Sequence, residues 1–161
     1  MKKVLCGLLV MGLLAGGAQL RAQGRKTEVS LNVGVQTNVY SGSSFDGAMF
    51  SLDARVGIPI GRFQIGPEIM AVVDDSFRGG YLLYPGAMLN FLAGRFFVGA
   101  GAVVPIAHAY GETETGRIAP RVNIGYNLGH FKLTAFFIMY NERYIDFLDV
   151  NFLGATVGYR F

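Results

Sequence analysis

The sequence predicts an all-β fold, an eight-stranded antiparallel up-and-down transmembrane β-barrel. Three observations carry that prediction. Apolar side chains alternate with small or polar ones at period two over eight segments. Tight and long connections alternate between those segments. The chain is 52% hydrophobic, yet past its N-terminal leader it has no apolar run of about 18 residues such as a spanning helix needs. Apolar residues spread thinly by alternation are the mark of a membrane barrel.

The first stretch reads as a cleaved secretory signal peptide over residues 1–22, leaving the barrel over residues 23–161. Met1-Lys2-Lys3 is a positive start, Val4 to Leu14 is apolar apart from glycine and Cys6, and Ala15 to Gln23 is a small-residue exit. Cleavage is placed after Ala22, with Ala18 as the alternative. Cys6 stands at the start of the apolar run and not after it, which is the wrong place for a lipid-bearing cysteine. It leaves with the leader, so the mature chain has no disulfide or thiol chemistry. Lys2, Lys3 and Arg21 leave too. The formal charge of +3 therefore falls to near zero, and nothing in it points to nucleic acid.

Each strand has two distinct faces. The first, about Thr27 to Tyr40, sets Val29, Leu31, Val33, Val35, Thr37 and Val39 against Ser30, Asn32, Gly34, Gln36 and Asn38. The second, about Gly47 to Ile58, sets Ala48, Phe50, Leu52, Ala54, Val56 and Ile58 against Ser51, Asp53, Arg55 and Gly57. The third runs from about Phe63 to Val73, with Gln64, Gly66 and Glu68 on its polar face. The fourth, Tyr81 to Phe91, has Tyr84, Gly86 and Asn90 there. The fifth, Phe96 to Ala109, is resolved by its glycines, which put Gly99 and Gly101 on the polar face. The sixth, Arg117 to Leu128, places Arg121, Asn123, Gly125 and Asn127 there. The seventh, Phe131 to Tyr140, is apolar on both faces apart from Lys132 and Thr134. The eighth is terminal, with Leu153, Ala155, Val157, Tyr159 and Phe161 on one face.

Pro59 to Arg62, Ala93 to Arg95 and Gly129-His130 read as tight turns. Ser41–Asp46, Asp74–Gly80, Gly111–Gly116 and Asn141–Asp149 read as longer polar loops. Short turns facing the periplasm and long loops facing outward are the rule for outer-membrane barrels. Strands of about 11 residues reach roughly 36 Å, enough to cross the apolar band when tilted. Pro67, Pro85, Pro105 and Pro120 each remove a ladder donor and should mark bulges or strand ends. Rings gather at both ends. Phe63, Phe91, Phe96, Phe131, Tyr159 and Phe161 lie by the short turns; Tyr40, Tyr81, Tyr110, Tyr140 and Tyr144 lie by the long loops. They read as two interfacial belts and put the apolar face in lipid. A soluble lipocalin-like barrel, apolar face inward, is the alternative.

With the ending Gly158-Tyr-Arg-Phe161 and the Ala22-Gln23 leader exit, the chain resembles the small outer-membrane β-barrel (porin-like) proteins of Bacteroidetes-type bacteria. Its strand count is similar to that of outer-membrane proteins A and X. The resemblance implies location in the outer membrane of a Gram-negative cell. It also implies assembly by the barrel-assembly machinery, with Tyr159 and Phe161 as its signal. It implies no activity.

On the polar face, Asp53, Arg55, Glu68, Arg121, Lys132 and Arg160 form the candidate lumen charge network. In so narrow an interior both signs should pair, which reads as a structural plug. The interior is therefore expected to be polar and plugged, in a structural or surface-binding barrel. The alternatives are a pore for small solutes or ions and a lipid A-modifying enzyme. The enzyme is disfavoured. His108 is followed two positions later by Tyr110 instead of the Ser of lipid A deacylases, with Glu112 nearby. Asp75-Ser76 lacks the loop-one His of the palmitoyltransferases. His130 reads as a turn residue, and Gly99-Ala-Gly101 has no helix after it and is no phosphate loop. No catalytic residue, metal or cofactor is expected. The expected partners are outer-membrane lipid, lipopolysaccharide and the assembly machinery, with no nucleic acid and no surface ligand identified.

Overall fold

The computed structural model describes residues 26–39, 45–73, 80–109, 111–139 and 151–161. The leader, Tyr40, Tyr110, Tyr140, Tyr144, Asp75-Ser76 and most of the loops Ser41–Asp46, Asp74–Gly80 and Asn141–Asp149 lie outside the described residues. Ten strands form among the described residues: β1 (Glu28–Val39), β2 (Phe45–Ile60), β3 (Phe63–Val73), β4 (Tyr81–Ala93), β5 (Phe96–Val103), β6 (Ile106–Ala109), β7 (Glu112–Thr115), β8 (Ala119–Leu128), β9 (Phe131–Ile138) and β10 (Asn151–Arg160). They pair antiparallel in the order β3-β2-β1-β10-β9-β8-β5-β4, and β3 pairs with β4 to close the ring. β6 continues β5 along β4 without a change of register. β7 leads into β8. The ten strands are thus eight staves of a closed antiparallel barrel, two of them broken once.

The breaks depart from expectation. The fifth stave is interrupted at Val104-Pro105, and the segment Gly111–Gly116 holds strand β7 where a loop was expected. β6 and β7 form a hairpin with Ile106 opposite Thr115. Below it Val103 opposes Ala119. Two residues on one side therefore match three on the other, which is a bulge. Pro105 sits in it and accepts a bond from the Gly116 amide at 2.8 Å. Pro85 sits opposite Val104, where no ladder pair forms, and Pro120 ends the β8–β9 ladder. The β2–β3 ladder skips from Arg55–Glu68 to Ile58–Ile65, and Pro67 lies in the gap. Pro67, Pro85, Pro105 and Pro120 thus lie at gaps, the bulge or a ladder end, where a donor is dispensable.

The tight turns are shorter than read: Gly61-Arg62, Gly94-Arg95 and Gly129-His130, two residues each. Each glycine has φ between 62° and 66°, the left-handed region that primed hairpin turns demand. Each following carbonyl is bonded by the neighbouring hairpin: Arg62 by the Leu92 amide at 2.8 Å, Arg95 by Asn127 at 2.8 Å and His130 by Arg160 at 2.7 Å. The short-turn end is a laterally tied ring.

The outer wall is apolar. Val33, Leu52, Phe50, Ile124 and Phe131 stand exposed there, Phe50 to 75%. A continuous apolar wall of this extent is stable only against hydrocarbon, which excludes the lipocalin-like arrangement. The interior is not uniformly polar, and this corrects the expected polar plug. Its short-turn half carries Ser30, Asn32, Asp53, Arg55, Gln64, Glu68, Asn90 and Lys132. Its loop-end half is a hydrophobic core of Met49, Met70, Val72, Leu82, Tyr84, Val103, Phe136, Ile138 and Phe152. The apolar inner face of the seventh stave belongs to that core.

Gly66 lets β2 and β3 close at the Pro67 gap. A Cβ at Gly66 would stand 1.7 Å from the Val56 carbonyl oxygen, a backbone atom that cannot swing aside. Gly66→Ala should destabilise the barrel by about 1–3 kcal/mol through overpacking. Urea unfolding followed by heat-modified gel mobility checks this, and an unchanged midpoint would show that β2 and β3 relax there.

Candidate functional site

The deepest chemistry lies in the lumen, and the strand register builds it. A centre for the β2–β3 turn between Gly61 and Arg62 predicts Arg55 opposite Glu68, and the structure has that pair. Arg55 Nε lies 3.2 Å from Glu68 Oε2. Arg55 also donates twice to Asp53 on its own strand, from Nε to Oδ1 at 2.8 Å and from Nη2 to Oδ2 at 2.6 Å. Asn32, paired with Asp53 across the β1–β2 ladder, adds a bond from Nδ2 to Oδ1 at 2.9 Å.

Arg121 comes from β8, halfway round the barrel. It spans the bore, placing Nη2 3.3 Å from Asp53 Oδ2 and Nη1 3.0 Å from Glu68 Oε1. Its side chain has no solvent exposure. Two guanidiniums and two carboxylates thus make a neutral ring. Above the ring, the Phe136 ring centre lies 4.4 Å from Arg121 Cζ, and Met70 Sδ lies 3.9 Å from Nη1. Glu68 meets both arginines by charge, without aligned hydrogen bonds.

Lys132 and Arg160 do not join that ring. They meet on Glu28, nearer the short turns. Lys132 Nζ lies 3.3 Å from Glu28 Oε1 and Arg160 Nη1 lies 3.1 Å from Oε2. Gln64 Nε2 donates to the same Oε2 at 3.3 Å, and Lys132 Nζ sits 4.7 Å from the Phe97 ring centre. Arg160 also donates to the Gly129 carbonyl. Glu28 is the residue that the sequence reading omitted. Its signal was parity: it precedes Ser30 by two and shares the inner face of β1.

The remaining space beside these groups is about 10 Å³, bordered by Glu28, Arg55, Gln64, Glu68, Asn90 and Lys132. That is room for about one water. Among the described residues no group of three metal-ligating side chains exists. His108 stacks on Tyr81 with ring centres 5.1 Å apart and lies 2.9 Å from Thr113 Oγ1. Tyr159 packs against Phe131 at 5.7 Å and Phe161 at 5.1 Å, and the Phe161 amide donates to the Val29 carbonyl at 2.9 Å.

No family model matches this sequence, and a search of curated proteins finds no relative. Solved structures do resemble it. Neisserial surface protein A, NspA, aligns over 83% of this chain and 95% of its own at 14% identity, with a TM-score of 0.61. The Yersinia pestis outer membrane protein Ail, in a phospholipid bilayer nanodisc, aligns over 84% of this chain and 100% of its own at 13% identity, with a TM-score of 0.52. At such identities the likeness is one of fold. The chain is an eight-stranded β-barrel of the outer-membrane type. With hydrocarbon-facing walls, such a barrel belongs in a cell outer membrane.

Removing one member of the ring should leave its partners charged and dry. Glu68→Ala is expected to cost about 3–5 kcal/mol, and Arg55→Leu with Glu68→Leu to recover much of that loss, since Arg121 and Asp53 still pair. Asp53→Ala should cost more than Glu68→Ala, because Asp53 holds Arg55, Arg121 and Asn32 at once. Urea unfolding of the refolded variants measures all three. A silent Glu68→Ala would mean that Glu68 is hydrated in an open bore.

Proposed function

We propose that this barrel is a non-conducting surface protein. In this reading it is a structural or surface-binding scaffold whose interior is closed and whose contacts are made at the loop end. The observation that carries the reading is the fully buried Arg121 crossing the bore beneath an apolar core. An ion entering from the short-turn side meets two charge clusters, then a mainly hydrophobic layer in which Gln36 and Ser51 are buried polar members. That arrangement argues against the pore. The similar Neisserial protein is named a surface protein, which fits a role at the cell surface. The loop end offers polar surface: Glu112 and Glu114 on β7 are exposed. Lipopolysaccharide and the barrel-assembly machinery belong to this proposal as partners, as does kinship with the porin-like barrels of Bacteroidetes-type bacteria. Catalysis is no part of it: His108 is engaged by Tyr81 and Thr113.

Planar-bilayer recording of the refolded protein tests the reading, with no stable single-channel steps expected. Large, stable steps would replace it with the pore, and a change in lipid A acyl mass on incubation with lipopolysaccharide would replace it with the enzyme.

Assembly gives a separate expectation. Deleting Phe161 removes one ring from the stacked end of β10 and the last amide bond to β1. Membrane-inserted barrel should fall and periplasmic degradation rise, as cell fractionation reads. Wild-type insertion of the deletion would show that the signal lies elsewhere.

A further inference from the structure

The ion pairs of the lumen fall into two clusters. Arg55, Asp53, Glu68 and Arg121 close into the ring, and Lys132 and Arg160 close on Glu28. Between the clusters lies the small space of about 10 Å³. Arg55 and Glu68 of the ring border it from one side, Glu28 and Lys132 from the other.

The backbone opens at the same place. The β2–β3 ladder has no pair between Arg55–Glu68 and Ile58–Ile65. Val56 and Gly57 on β2, with Gly66 and Pro67 on β3, occupy that interval, and all four border the space. The gap in the ladder and the gap between the charge clusters are one feature.

Several polar atoms around it are unmet. Arg55 gives Nε and Nη2 to Asp53, and its Nη1 is buried with no hydrogen-bond partner. Both carboxylate oxygens of Glu68 lie at ion-pair distance from arginines, yet accept no hydrogen bond. Asn90, which also borders the space, has Oδ1 buried and without a partner. Arg55, Glu68 and Asn90 are 6%, 5% and 5% exposed. Lys132 Nζ carries three N–H donors and bonds one acceptor, Glu28 Oε1. Buried donors and acceptors are costly to leave unmet.

The chemistry of the set selects its occupant. Donors and acceptors both face the space, and water has two of each to offer. The volume is that which one water needs. A metal cation would stand against the charges of Arg55 and Lys132. Chloride or bromide is larger than water and would stand against Glu28 and Glu68.

We propose that this space is a binding site for a single water molecule. The water accepts from Arg55 Nη1 and Lys132 Nζ and donates to a Glu68 carboxylate oxygen, with the Asn90 amide as its fourth neighbour. It joins the Glu28 cluster to the Arg121 ring, so that the lumen charges form one bonded network, and it fills the opening in the β2–β3 ladder. Such a bridge is nearly as favourable as a direct hydrogen bond. The proposal rests on the closed lumen of the reading above.

Crystals of the refolded full chain grown in sodium bromide identify the occupant. One solvent peak is expected about 2.9 Å from Arg55 Nη1, Lys132 Nζ and a Glu68 oxygen, with no anomalous bromide signal. An empty space would overturn the proposal. So would an anomalous peak, which marks a halide site, or the shorter carboxylate contacts of a metal ion. In solution, relaxation dispersion of the water oxygen-17 signal counts long-lived internal waters. Asn90→Leu fills the space with an apolar group and should lower that count by one, with heat-modified mobility showing that the variant is folded. An unchanged count in the folded variant would overturn the proposal. Should the variant not fold, the crystal peak decides alone. Conductance in planar bilayers would instead refute the closed lumen, so the two readings fail by different measurements.

Discussion

Everything inside this barrel hangs on the passage of Arg121 across the bore. A guanidinium removed from water is tolerated only when its donors meet charge at close range. Here one fork reaches Asp53 and Glu68, on two different strands of the opposite wall. A lysine has a point charge and could not serve both acids in one plane. The acids are held in turn by Arg55 and Asn32, so the ring is braced from its own side. Phe136 covers the guanidinium from above. One side chain thus joins opposed walls and separates the charged half of the lumen from the apolar half.

That stratification follows from the three environments a small barrel meets. Its wall faces hydrocarbon, so alternation puts apolar residues outward at every height. Its interior is too narrow for bulk water, so inward residues answer to one another. Near the short turns they do so as ion pairs, around Glu28 and then around Asp53 and Glu68. Toward the loop end they do so by packing, as where Tyr84 meets Phe152 edge-on with ring centres 5.9 Å apart. A closed interior of this kind leaves the two rims and the outer wall as the surfaces that can recognise anything.

The wall was legible because period two is a local signal: Leu31, Val33 and Val35 announce their face without reference to the rest of the chain. Register was legible where a turn was short, since Gly61-Arg62 leaves one way to pair Arg55 with Glu68. The grouping of charges was not. Lys132 and Arg160 share parity with Asp53, yet which acid they reach depends on height and stagger round the ring, and only closure sets these. The apolar inner layer was hidden for the same reason. Met70, Val72 and Ile138 read as interruptions of a polar face until their strands are brought together. Strand β7 escaped because Glu112–Thr115 is polar on both faces, as a hairpin standing clear of the wall must be.

The two ends obey different constraints, and this decides where the sequence is free to change. At the short-turn end the turn carbonyls are tied sideways into neighbouring strands, so altering one turn disturbs the next. At the loop end the bulge at Pro105 shifts the pairing of the β5–β6 stave with the β7–β8 stave, while β6 keeps its register on β4. A bulge decouples pairing above it from pairing below. Residues Glu112 to Thr115, exposed on β7, can therefore vary without shifting Val103, Ala119 or the core, whereas Ala107 on β6 belongs to that core. The core in turn screens the Arg121 ring from whatever the loop end contacts. The two ends of the same eight staves are thus tied in different ways, with the apolar layer lying between the ion-paired half and the loop end.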